Sequence, residues 1–139
     1  MLKAILFRRC WGDLSIIFFL LRLVMGLAFV FHGWSKIHSA CHWLGNHPPF
    51  PLAMVCLVPY LELLGGAFLF FGFLTRIASL ALFSVMTGAL YCHIFLWHDA
   101  FVSVKDHDSY EMALVYWILS MLFFGRGAGR FSIDHKVFG

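Results

Sequence analysis

The stretch Pro59-Tyr-Leu-Glu-Leu-Leu-Gly-Gly-Ala-Phe-Leu-Phe-Phe-Gly72 decides how this chain folds. It sets a single acid, Glu62, inside a long apolar run. Glu62, Gly65, Gly66, Leu69 and Gly72 fall at helical spacing and share one face, which is small and carries one charge. The other faces are Leu and Phe. A carboxylate near the middle of a bilayer costs roughly 2.5–3.5 kcal/mol on insertion scales, so it needs a partner facing inward.

Outward from that stretch the chain stays apolar. Of its 139 residues 62% are hydrophobic and only 12% charged, far from the composition of a soluble globular domain. Apolar runs at 14–33, 53–74, 77–97 and 110–124 each approach the ~17–25 residues that a helix needs to cross ~30 Å of hydrocarbon. The first run is too long for a signal peptide, contains Arg22 and lacks a small-residue cleavage pattern. The expected fold is all-α, one domain built as a four-transmembrane-helix bundle. Lys3, Arg8, Arg9, Arg76, Arg126, Arg130 and Lys136 lie on one side of such a bundle, against Lys36 and Lys105 on the other. The asymmetry predicts both termini in the cytoplasm and a multi-pass protein of the inner membrane. The formal charge of +3 is then a topology signal, and nucleic-acid binding is not read from it. Residues 1–13 read as a basic, aromatic segment at the inner interface.

Arg22 on the first helix and Glu62 on the second are predicted at similar depth, each on a glycine-bearing face, and so form the expected ion pair. His93 on the third run and Glu111 at the start of the fourth, capped by Ser109, are expected to meet nearer the outer surface. These four are the candidate catalytic groups: Arg22 and Glu62 as a floor, His93 and Glu111 as the wall above. His32, Trp34 and Lys36 form the candidate cofactor-binding rim. The first outer loop, WSKIHSACHWLGNHPPFPL (34–52), is aromatic and imidazole-rich. His38 and His42 are four residues apart, but no second pair accompanies them, so no metal site is assigned. Cys10, Cys41, Cys56 and Cys92 contain no CxxC pair. Cys41, Cys56 and Cys92 fall on or near the outer side, where an oxidising compartment permits a disulfide. The expectation for Cys56 and Cys92 is nonetheless that of small hydrophobes in apolar helices.

With these residues in view, the chain resembles the DoxX family of small four-helix membrane proteins. The resemblance is carried by RLVMGLAFVFHGWSKI (22–37), ELLGGAFLFFGFLTRIASL (62–80), the His93 helix, YEMAL (110–114) and GRGAGRFSID (125–134). Its motif positions here are Arg22, His32, Gly33, Lys36, Glu62, Gly65, Gly66, Thr75, Arg76, His93 and Glu111. Relatives include a quinone-linked membrane subunit of a thiosulfate oxidoreductase and a membrane partner in thiol-oxidative stress complexes. The resemblance implies quinone as cofactor, lipid as surroundings, and a redox partner protein or a homo-oligomer. The chain has no flavin or nicotinamide glycine fingerprint and no haem-attachment motif, so electrons are expected from a partner. A non-catalytic membrane scaffold and outer-face metal handling are the alternative readings.

Overall fold

The structure, a computed structural model, describes residues 11–45, 47–103 and 108–138. The elements are α1 (Trp11–Ile37), α2 (Leu52–Phe71), α3 (Thr75–Tyr91) continuing into a π-helical turn (Cys92–Leu96), α4 (Glu111–Arg126) and a short α5 (Ile133–Phe138). Among the described residues there is no β-strand, only an isolated bridge between Ala100 and Ser109. Residues 1–10 of the expected interfacial segment lie outside the described residues, and Trp11–Asp13 already belong to α1.

Among the described residues, three segments are long and apolar enough to cross a membrane: Leu14–Ile37, Leu52–Phe71 and Thr75–Leu96. The fourth apolar run forms a helix of 16 residues, ~24 Å long at 1.5 Å per residue. Val24, Phe31, Phe71 and Ile77 are exposed. Large apolar side chains turned outward along several helices suit a hydrocarbon solvent. Inside, Met25, Phe29, Leu69, Leu82, Val85, Met86 and Phe123 form the buried core.

Helices α1 and α2 lie against each other through glycine. A Cβ at Gly33 would sit 2.5 Å from Leu63 N, and one at Gly26 would sit 2.7 Å from Phe70 N. A Cβ at Gly66 would fall 2.7 Å from Gly26 O. The small faces of the first two helices therefore serve packing within one chain. They also fix the register. With Gly33 level with Leu63 and Gly26 level with Phe70, Glu62 comes level with the last turns of α1, and Arg22 with the residues just past α2.

At that end, the tail end, the chain is tied down by the segment after α4. Gly72 closes α2 in the left-handed region (φ 67°), with Phe73 N donating to Phe68 O at 2.9 Å. Asp134 then caps α3, its two carboxylate oxygens accepting from Leu74 N at 2.7 Å and Thr75 N at 2.9 Å. Asp134 N donates to Gly72 O at 2.9 Å. At the opposite end, the loop end, Tyr110 N donates to Ala100 O (3.3 Å) and Glu111 N to Phe101 O (3.2 Å). These backbone bonds start α4 in place of the expected Ser109 cap; the capping position is Tyr110, and no side chain caps it.

Candidate functional site

Between α2, α3 and the segment after α1 lies a cavity of about 240 Å³. That exceeds the ~150 Å³ sufficient for one benzene-sized ring in an apolar core. Leu57, Val58 and Leu61 of α2 face Val85 and Ala89 of α3 across it, and Trp43 and Trp97 stand near the loop end. Glu62, Ser84 and His93 bring the polar and ionisable groups to a wall that is otherwise apolar. A recess of this kind, mostly apolar with a few convergent polar groups, has the usual make-up of a small-molecule site.

Glu62 is 2% exposed and holds Lys36, whose Nζ lies 2.8 Å from both carboxylate oxygens. The expected Arg22–Glu62 pair does not form. The glycine register separates the two by about 12 residues along α1, or ~18 Å. Reading both charges at equal depth assumed that the two runs begin at the membrane surfaces; instead α1 extends to Ile37 and carries Lys36 to Glu62. Arg22 is buried at the tail end and donates to Ala128 O (2.8 Å) and Phe131 O (2.6 Å).

His93 is placed by the π-helical turn. Trp97 N donates to Cys92 O at 2.9 Å, five residues back, and this widened turn sets Cys92 and His93 on the cavity wall. The chain then reverses at His98 (φ 54°), and Asp99 returns onto His93. Asp99 N donates to His93 O at 2.9 Å, and Asp99 Oδ2 lies 2.7 Å from His93 Nδ1. The expected His93–Glu111 contact is thus replaced: a carboxylate six residues along reaches the imidazole through one tight reversal. Glu111 is half-buried and makes no side-chain hydrogen bond or ion pair among the described residues. With Nδ1 engaged by Asp99, Nε2 is the ring nitrogen left to a ligand.

Of the expected rim, Lys36 joins the site through Glu62, whereas His32 and Trp34 are exposed and do not line the cavity. His32 packs edge-on to Tyr116 at 6.4 Å, and Trp34 packs edge-on to His38 at 5.9 Å. Among the described residues, no group of three or more His, Cys, Asp or Glu side chains is placed to hold a metal.

Trp43 was not singled out as a site residue, although a signal for it existed. Pro59 has no N–H, so the Val55 carbonyl four residues earlier has no helical donor. The Trp43 indole supplies one, Nε1 donating to Val55 O at 2.9 Å. Lys36 Nζ stands 4.6 Å from the centre of the Trp43 ring. Two residues before Trp43, Cys41 is bonded to Cys56 in a disulfide (S–S 2.04 Å), which corrects the reading of Cys56 as a small hydrophobe. Turns after α1 (Ser39 N to Lys36 O, 3.0 Å; His42 N to Ser39 O, 2.8 Å) fold Cys41 back toward the first turns of α2. Cys92 is free and buried, as expected, and lines the cavity.

Apolar spans around a mostly apolar recess with a few polar groups define an all-helical membrane protein. The comparisons narrow this: the DoxX family model matches residues 17–98, and the chain belongs to that family of small membrane proteins. It is also 28% identical over 120 residues to an uncharacterized protein of Haemophilus influenzae, covering 85% of this chain and 88% of that one. No solved structure matches it.

Proposed function

We propose that this chain is the integral membrane subunit of a quinone-linked redox system of the inner membrane, with the α2–α3 cavity as its site. The observation that carries the reading is one apolar recess of about 240 Å³ bearing a histidine–carboxylate pair and a lysine–carboxylate pair. Leu57, Val58, Leu61, Val85 and Ala89 give a ring an apolar slot. A quinone bound there supplies an acceptor of two electrons and two protons. His93, held by Asp99, donates a hydrogen bond and a proton through Nε2. Glu62, compensated by Lys36, serves as the second proton-holding group. Arg22 and Glu111 do not line the cavity and are left out of this relay. Electrons come from a partner redox protein.

In this reading α4 is the fourth span, both termini are cytoplasmic, and the loop end faces outward. The Cys41–Cys56 bridge supports that orientation, because disulfides persist on the oxidising side of a membrane. The test is mass spectrometry of the gently purified protein with its lipids, quinones and partner proteins identified. A bound quinone that is lost in His93→Ala supports the proposal. A protein with a stoichiometric partner and no quinone supports the scaffold alternative instead.

A further inference from the structure

We infer that the Cys41–Cys56 disulfide is a redox-controlled strap that closes the cavity at its loop end. The ring closed by this bond contains Trp43, Leu44, Phe50, Met54 and Val55, all of which line the cavity. The facing wall, Val85, Ala89, Cys92, His93 and Trp97, belongs to α3 and its π-helical turn. One side of the mouth is therefore built on a helix. The other is built on the first turn of α2, with Met54 and Val55, and on the segment leading into it, with Trp43, Leu44 and Phe50, whose fold-back onto α2 the disulfide pins.

Among the described residues between Cys41 and the start of α2, little else holds the strap. The turn bonds at Ser39, His42 and Gly45 are local to the segment and do not reach α2 or α3. Trp43 makes the single indole bond to Val55 O and lies under Lys36. Phe50 contacts Tyr91 through its ring alone, at 6.0 Å. Once Trp43 leaves, Val55 O must be met by water at the opened mouth, because Pro59 has removed its helical donor. Opening the disulfide restores the conformational freedom of a loop 15 residues long, and Trp43 leaves the mouth. Cys41 and Cys56 are half-buried rather than enclosed, and a small dithiol is the reductant of choice. In that exchange the dithiol becomes a disulfide, and its two electrons and two protons go to the Cys41 and Cys56 thiols. The strap regulates the site of the proposed function, but its test does not depend on what that site binds.

Cys92 is the reporter, since its buried thiol lines the cavity. In a Cys10→Ser background, alkylation of Cys92 by N-ethylmaleimide is followed by peptide mass spectrometry on the full-length protein in lipid nanodiscs. Three states are compared: oxidised, reduced with dithiothreitol, and Cys41→Ser/Cys56→Ser. Alkylation is expected to quicken roughly tenfold or more in the two open states, as local opening of the freed segment exposes the cavity. Reoxidation of the reduced protein should restore slow labelling, which separates opening from misfolding. Equal rates with the bridge open and closed would overturn the strap. Faster labelling in a protein that carries no quinone would uphold the strap and remove the quinone.

Discussion

The carboxylate of Glu62 is kept in an apolar bundle by one ammonium group, and that dependence can be measured. Lys36→Met leaves a carboxylate of 2% exposure without its counter-charge. Loss of one member of a buried pair costs roughly 3–5 kcal/mol, and the low end applies because Lys36 is still 24% exposed. Lys36→Met/Glu62→Leu should be less destabilised than Lys36→Met alone, as thermal unfolding in a single detergent would show. A double variant no more stable than the single one would mean that the pair does not hold the charge. At this scale the sequence was half legible. That Glu62 needed an inward partner followed from its surroundings, and a lysine at the end of the first helix was in plain view. Choosing Arg22 required a depth for each helix, and apolar runs give depth only to within a few residues. Asp99 escaped notice because a reversal with a positive φ at His98 has no marker as clear as a glycine.

The elements owe their arrangement to where glycine permits contact and where it does not. Gly33 and Gly26 are in backbone contact with α2, so Gly33→Ala must push α1 away and should cost ~1–3 kcal/mol by overpacking. Gly88 lies on the cavity wall, and an added Cβ there meets nothing within 4 Å. Gly88→Ala should leave stability unchanged or raise it by ~0.5–1 kcal/mol. Gly88→Leu should fill the recess and displace whatever small molecule co-purifies, without lowering the unfolding temperature. Retention of that molecule in Gly88→Leu would place its site elsewhere. The helices themselves were legible from length and hydropathy; the small faces announced close packing but left open whether it lay within one chain or between chains. The π-helical turn was not, since Cys-His-Ile-Phe-Leu continues the apolar pattern of α3 without a break.

Across the whole molecule, the bundle is fastened at both ends by pieces that are not spans: a disulfide-closed loop at one and a returning tail at the other. The tail fastening rests on Arg22, whose guanidinium donates to two backbone carbonyls, and on Asp134, which caps α3. Arg22→Leu should free the segment after α4, so that trypsin cuts at the exposed Arg130 several-fold faster. An unchanged cutting rate would show that Asp134 alone secures the tail. The sequence marked GRGAGRFSID as notable yet gave no sign that it turns back to bind a residue of the first helix, because hydrogen bonds to carbonyl oxygen leave no trace in side-chain type. The order of synthesis gives this latch a further meaning. The acceptors for Arg22 lie 106 and 109 residues later in the chain. At ~5–20 residues per second the ribosome takes roughly 5–20 s to reach them. Through that interval the nascent first helix must carry its guanidinium among lipids, its long side chain drawn toward the nearer headgroups. Helix α1 is thus completed only when a segment translated more than a hundred residues later folds back onto it.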